Sequence, residues 1–564
     1  MKLKKHQFIT GGQAIIEVLK KEKVKYIFGL IGSATMELFD ALYNNEKIKF
    51  IDVRDERTGT HIADGYARAS GKVGVMIAGQ NGPGVTNLVT GIAQAYKAFS
   101  SIITIGGDTS SEHIGKDSFQ EIDQQKLFEP ITKKTYTIKN TNKIYYIFNE
   151  AFKKTLSPRC GPVHINIPRN ILSNQIKKKE YKKHKDITFT SSPLKPIKEI
   201  IKLINKSSKI LIIAGGGIKN TDGQQHVVKL SKILNIPIVS SAGHGDVISY
   251  DQKFYLGQMG PRGNKVATEA VNEANLILAL GTRLGFNSTF FSNDIINKKT
   301  KIIQVDIEKI ALGRYFPAKI KICADAKTVT KQIINELDKV NYIPKKNEWT
   351  DNFISQRKKY LLDRNKKANL NSSPIFPTGI FKILRETLPH NTAITLDAGT
   401  LCLQATDMLN YFKPRSLFTP LDFGLVGFSF ACGLGVKLAK PNCPVVSLMG
   451  DGGFGMTVSE ISTAVKYKIN TITLIMNNHS WGAEKAYQRD YYNNRFIGSD
   501  IDNPPFYKLA KLYGAIGFNV KKISDLKSKL KIALKCKKPV IINIEVNPDS
   551  IYSFRKDSFK HKKS

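Results

Sequence analysis

The chain has 564 residues, with 41% hydrophobic and 24% charged, the proportions of a globular protein with room for about three or four domains. No apolar run reaches the roughly 20 residues of a membrane-spanning helix, and the six cysteines form no CxxC pair, which excludes a membrane partner, a disulfide framework and a zinc site as expectations. The net charge of +39 comes from lysines spread along the whole chain without interleaved stacking aromatics, so we read a solvated surface that attracts anions rather than nucleic acid. The N-terminus MKLKKHQFITGGQ is basic but has no apolar core of a secretory signal, and a reduced, cytoplasmic setting is expected.

Strands alternate with helices throughout, which predicts an α/β protein of three doubly wound domains with mostly parallel sheets. The expected domains are residues 1–185, 193–342 and 372–564, separated by a Lys-rich, Ser-Pro stretch and by a polar stretch near 344–374. In the first, Tyr26–Gly29, Lys49–Val53, Val73–Ile77, Ile102–Ile105 and Val163–Ile167 read as strands. Arg54-Asp55-Glu56 closes the second of them, Thr58–Ala69 reads as a helix, and Glu56 taken singly is an acid that complements a helix dipole. GQNGPGVTN (Gly79–Asn87) is a turn that lets backbone approach a ligand. The central segment carries KILIIAGGG (Lys209–Gly217), IPIVSS, NLILALGTRLG and KIIQVDIEK, and its Gly-rich strand end is a weak nucleotide signal.

In the third segment TLDAGTLCLQ (Thr395–Gln404) is a strand running into a glycine turn whose N–H groups at Gly399 and Thr400 suit phosphate oxygens. Farther on, Val445–Met449 reads as a buried strand, Gly450-Asp451-Gly452-Gly453 as a tight turn, Thr457–Lys468 as a helix and Thr471–Met476 as a strand ending at Asn477-Asn478. Ligands on such βαβ units bind at the carboxyl ends of the strands, where Asp451 and Asn478 both fall. One carboxylate, one amide oxygen and free backbone groups suit Mg²⁺ or Ca²⁺, not zinc.

GDG and NN at this separation resemble the thiamine diphosphate motif, and the chain is similar to thiamine diphosphate enzymes of the acetolactate synthase group. DERTGTHIADGYAR, GPG and FQEIDQQKLFEPITK (Phe119–Lys133) match that group too. The resemblance implies that Glu56 activates the coenzyme, with Gln120 and Lys133 as further catalytic residues and Ser33 and Phe119 on the substrate wall. It implies that Gly82, Gly399, Thr400, Asp451, Gly452 and Gly453 line the coenzyme. LDFGLVGFSF (Leu421–Phe430) matches the stretch that grips the aminopyrimidine, which assigns the Gly424 carbonyl to the ring amino group and Val426 to the apolar wedge that bends the coenzyme. Mg²⁺ falls to Asp451, the Asn478 side chain and the Ser480 carbonyl. The acidic and arginine cluster that follows GTR in FAD-binding relatives is replaced by LGFNSTFF, which implies no FAD.

WGAEK, Gln488 and YYNNRF, with KPRS (Lys413–Ser416) and SFRKDSF (Ser553–Phe559), are similar to the sulfoacetaldehyde acetyltransferases. This implies small anionic substrates, sulfoacetaldehyde and phosphate, with acetyl phosphate and sulfite as products and Lys485 and Arg555 beside Lys133 as anion-binding candidates. An acetolactate synthase-like enzyme acting on pyruvate or a related 2-oxo acid is the alternative. A non-catalytic binding protein is opposed by the joint presence of Glu56, Asp451 and Asn478. The resemblance further implies a coenzyme shared between the first segment of one subunit and the third of another, hence a homodimer at least, with a homotetramer as the larger form.

Overall fold

Strands such as Ile210–Ala214 and Leu276–Leu280 are apolar and buried at every position, which demands cover on both faces of the sheet. The computed structural model describes residues 8–43, 45–184, 191 and 193–554 and meets that demand with three domains, each a six-stranded parallel sheet flanked by helices. The first sheet runs, edge to edge, Lys49–Asp52, Tyr26–Gly29, Gly74–Ile77, Ile102–Asp108, Val163–Pro168 and Lys134–Thr137. The third runs Leu417–Phe418, Ala393–Leu396, Val445–Gly450, Ile472–Asn477, Val540–Glu545 and Ile516–Val520. Counted along each domain, both have the order 2-1-3-4-6-5, so the outer domains share a topology. The central sheet differs: Tyr255–Gln258, Ile238–Ser240, Ile210–Ala214, Leu276–Leu280, Lys301–Asp306 and Ile320–Cys323 give 3-2-1-4-5-6, the order of dinucleotide-binding folds.

The stretch near 344–374, read from the sequence as a polar connection, instead holds a 19-residue helix, Glu348–Lys366. Its apolar stripe is narrow: Phe353 and Ile354 are buried, while Arg364 donates to the Asp407 carbonyl at 3.0 Å and ties the helix to the third domain. Edge strands such as Lys134–Thr137 also went unread, because KTYT carries no apolar run.

The outer domains pack directly on one another. Helix Glu56–Ser70 crosses helix Ser429–Ala439 at glycines: a Cβ on Gly65 would stand 2.2 Å from the Cys432 carbonyl oxygen, and one on Gly435 would stand 1.9 Å from that of Ile62. Only glycine permits this approach. Phe28, Met76, Phe430 and Phe454 belong to one continuous apolar core across the contact. The buried Glu460 carboxylate reaches back to the first domain and accepts from the Arg54 N–H at 2.8 Å and from the Thr58 hydroxyl. Among the described residues no helix is long and apolar enough to cross a membrane.

Candidate active site

Glu56 is the first residue of its helix, with Asp55 as N-cap accepting from the Arg57 and Thr58 N–H groups. It is therefore a first-turn acid, but a buried one, 5% exposed. Its Oε1 accepts from the Gly79 N–H at 3.2 Å and its Oε2 from the Asn87 side chain at 3.1 Å. The loop Gly79–Gly82 leaves the carboxyl end of Gly74–Ile77 and enters helix Pro83–Lys97, with proline at the first turn. Gly82 has φ +56°, and a Cβ there would stand 2.5 Å from the Gln120 carbonyl oxygen, so the Phe119-Gln120 segment lies directly on it. The Asn81 side chain donates to the Phe119 and Gln120 carbonyls at 3.2 and 3.1 Å, and Phe119 projects outward, 86% exposed. Ser33 joins the group through its hydrogen bond to Gln80 at 3.0 Å. Glu56, Gly82, Ser33, Phe119 and Gln120 thus gather at one end of the first sheet.

The third domain supplies a second group at the carboxyl ends of its strands. Gly399, φ +118°, opens helix Thr400–Met408, and a Cβ there or on Gly450 would meet no atom within 4 Å. Gly424 has φ +76° and is equally open. Asp451 is fully buried, and burial raises its pKa to about 6 against backbone N–H groups and the nearby His479, which lower it. The Asn478 side-chain oxygen faces Asp451 Oδ1 and the Ser480 carbonyl, each at 3.1 Å, three acceptors pointing together. A turned amide satisfies them, donating to both and accepting from Ser480 Oγ at 2.9 Å. A hard cation between the oxygens would satisfy them equally. Carboxylate, amide and carbonyl therefore fit a metal-bound diphosphate, and the open glycines leave the room that such a ligand needs beside the Gly399 turn. Among the described residues no group of three or more His, Cys, Asp and Glu converges as a metal site.

The expected helix Thr457–Lys468 is a 3₁₀ turn, Val458–Glu460, followed by a short α-helix, Ile461–Lys466, and GDGG itself opens a helical turn, Asp451–Gly455. WGAEK begins helix Gly482–Tyr491, and a Cβ on Gly482 would lie 3.1 Å from the Asn478 side-chain nitrogen and 3.7 Å from Thr400 Oγ1. Lys485 is close to the site but already paired with Asp500. Lys133 is not brought there. It precedes a parallel strand and so sits at the amino end of the sheet, donating to the Ser157 carbonyl and hydroxyl at 2.8 and 2.7 Å, its pKa lowered to about 8 by burial. Arg555 lies outside the described residues.

Several neighbours escaped the sequence reading. Asn503 donates to Asp451 Oδ2 at 2.9 Å, the Trp481 ring fills the place of a Gly452 side chain, and the Tyr552 hydroxyl donates to the Thr400 carbonyl at 3.1 Å. Asp397, just before the Gly399 turn, accepts from the Ala398, Gly427 and Phe428 N–H groups. Trp481 opens WGAEK just after Asn478 and Asp397 lies within TLDAGT, whereas Asn503 and Tyr552 arrive from distant loops.

The central sheet reverses order between Ile210–Ala214 and Leu276–Leu280, and a cavity of about 320 Å³ lies there, lined by Gly216, His244, Thr282, Arg283, Asp306 and Asp325. The segment LGFNSTFF beside it is engaged in its own contacts: Phe286 stacks on Phe290, and Asn287 donates to Asp422 at 3.1 Å.

Comparison with known proteins agrees with this arrangement in chain order. The N-terminal TPP binding domain of thiamine pyrophosphate enzymes matches residues 9–127, their central domain 197–333 and their C-terminal TPP binding domain 397–544. The chain is 33% identical to a probable acetolactate synthase large subunit of Methanococcus aeolicus, over 97% of this chain and 93% of that one. It is 30% identical to the sulfoacetaldehyde acetyltransferase of Castellaniella defragrans, over 98% of this chain and 96% of that one. With three domains matched in order and a relative 33% identical over 97% of this chain, the chain belongs to the thiamine pyrophosphate (thiamine diphosphate) enzyme family.

Proposed function

We propose that the protein is a sulfoacetaldehyde acetyltransferase that converts sulfoacetaldehyde and phosphate to acetyl phosphate and sulfite. The observation that supports this most is the WGAEK segment, similar to those transferases in sequence and folded as the start of helix Gly482–Tyr491 against Asn478 and Thr400. The reaction balances without an outside oxidant: the C–S bond breaks with its electron pair going to sulfite, the former sulfonate-bearing carbon becomes the methyl group, and the aldehyde carbon rises to the acyl level and bonds to phosphate oxygen. Bound thiamine diphosphate supplies a carbon nucleophile and an electron sink. Glu56, 5% exposed, would hold a proton at the pyrimidine ring. Asp451, Asn478 and the Ser480 carbonyl would hold Mg²⁺ against the diphosphate. Gly424 would accept from the ring amino group, and Val426 would support the bend.

Sustained turnover should require inorganic phosphate, with acetyl phosphate, trapped as its hydroxamate, appearing in step with sulfite. Sulfite released at full rate without phosphate, with acetate as product, refutes the transferase reading. The second reading, an acetolactate synthase-like condensation, is favoured by the 33% identity to the Methanococcus aeolicus protein. It predicts pyruvate consumption, carbon dioxide release and indifference to phosphate.

Two further parts of the reading concern assembly and the central cavity. The exposed Phe119 and Phe423 and the open Gly424 suit a site completed by a second copy, in a homodimer or a homotetramer. The internally engaged LGFNSTFF segment suits a central domain without FAD. Sedimentation and visible absorbance check both: a monomer with full coenzyme affinity overturns the first, and a flavin spectrum in the purified protein overturns the second.

A further inference from the structure

Asp397 follows the strand Ala393–Leu396 and is 2% exposed. Its Oδ1 accepts from the Ala398 N–H at 2.9 Å and the Phe428 N–H at 3.1 Å, and its Oδ2 from the Gly427 N–H at 3.0 Å. Oδ2 also lies 2.5 Å from the place of a Cβ on Gly453, and Val426 Cγ1 lies 3.3 Å from the same point. One carboxylate therefore touches the start of the Gly399 turn, the loop that carries Gly424 and Val426, and the end of the GDGG turn. Gly427 bends that loop with φ +85°, a conformation that leaves its N–H aimed at Asp397. Burial raises the Asp397 pKa to about 7 against three backbone N–H groups that lower it. A buried carboxylate with no cation beside it among the described residues is a costly way to satisfy three amides, and a purely structural role would be served by a neutral acceptor.

We infer that Asp397 is a positioning residue, whose carboxylate fixes the Val426 loop against the diphosphate-binding turns so that the coenzyme is held bent. This rests on the assignment of Val426 as the wedge in the proposed function. Asp397→Asn keeps the shape but turns an N–H₂ toward at least one backbone N–H, so the loop is released while the core stays filled.

The test is a double-mutant cycle on the full-length protein with Val426→Gly, reading thiamine diphosphate affinity in Mg²⁺ by calorimetry and C2 proton exchange of the bound coenzyme at saturation. Asp397→Asn should melt, without coenzyme, within a few degrees of wild type, yet exchange roughly 10²-fold slower, the cost of a displacement of about 1 Å. Its affinity should fall as well. In the Val426→Gly background the same change should add little, because the wedge it positions is already gone. Wild-type exchange and affinity in Asp397→Asn overturn the inference, and so does a double mutant in which the two losses multiply. If Asp397→Asn does not fold, Asp397→Ser replaces it, a neutral side chain too short to keep the bond to the Gly427 N–H, and the same outcomes decide. A wild-type protein that binds no thiamine diphosphate fails at the coenzyme reading itself, which separates that failure from one of Asp397.

Discussion

Glu56→Gln should slow C2 proton exchange on bound thiamine diphosphate by about 10²–10⁴-fold, the usual size of lost general acid–base assistance, while coenzyme affinity changes little. Glutamine fills the same space at a position that is 5% exposed, so no cavity opens. It cannot reproduce the electrostatics, because Glu56 faces only donors, the Gly79 N–H at 3.2 Å and the Asn87 amide at 3.1 Å. The new N–H₂ must turn toward one of them, and Asn87 can rotate its amide to accept instead. The fold is therefore preserved and the proton chemistry is not. Exchange followed by deuterium loss at C2, with affinity measured in parallel, separates the two. An unchanged exchange rate would reduce Glu56 to a helix-terminus acid.

Asp451→Ala should abolish tight, Mg²⁺-dependent coenzyme binding. Removing an outer-shell partner of a metal ligand typically costs roughly 10–100-fold in affinity, and loss of the one carboxylate in the set should exceed that. The remaining groups, the Asn478 amide and the Ser480 carbonyl, are neutral, and they leave the doubly charged ion without a formal negative charge from the protein. Asn503, which donates to Asp451 Oδ2 at 2.9 Å, would lose its acceptor at the same time. Calorimetry with and without Mg²⁺ is the measurement. Equal affinity in the mutant would remove the metal from this position.

Lys133 and Asp397 show where a linear reading loses the site. Lys133 lies in a stretch similar to the family's active-site wall, yet it precedes the strand Lys134–Thr137, and in a parallel sheet the residue before a strand sits at the end opposite the ligand. Asp397 was visible in TLDAGT but carried no signal of its own, because its partners Gly427 and Phe428 come from a loop that only the fold brings beside it. The helix Glu348–Lys366 was missed for a related reason: its apolar stripe is too narrow to announce a helix, and it is held by the central core, which takes Phe353, and by the third domain, which takes Arg364.

What the sequence determined by itself is local or periodic. Runs such as Tyr26–Gly29 and Val445–Met449 announce buried parallel strands because both faces must be apolar, and GDGG with Asn477-Asn478 places a carboxylate and an amide at adjacent strand ends because strand, turn and helix lengths leave little choice. Tertiary structure alone decided that the outer domains share one strand order while the central one differs, since order in a sheet depends on which crossovers pack. It alone decided that helices Glu56–Ser70 and Ser429–Ala439 meet at Gly65 and Gly435, and that three separate turns converge on Asp397. Those are meetings of distant segments, fixed by burial and hydrogen bonding in three dimensions rather than by any pattern along the chain.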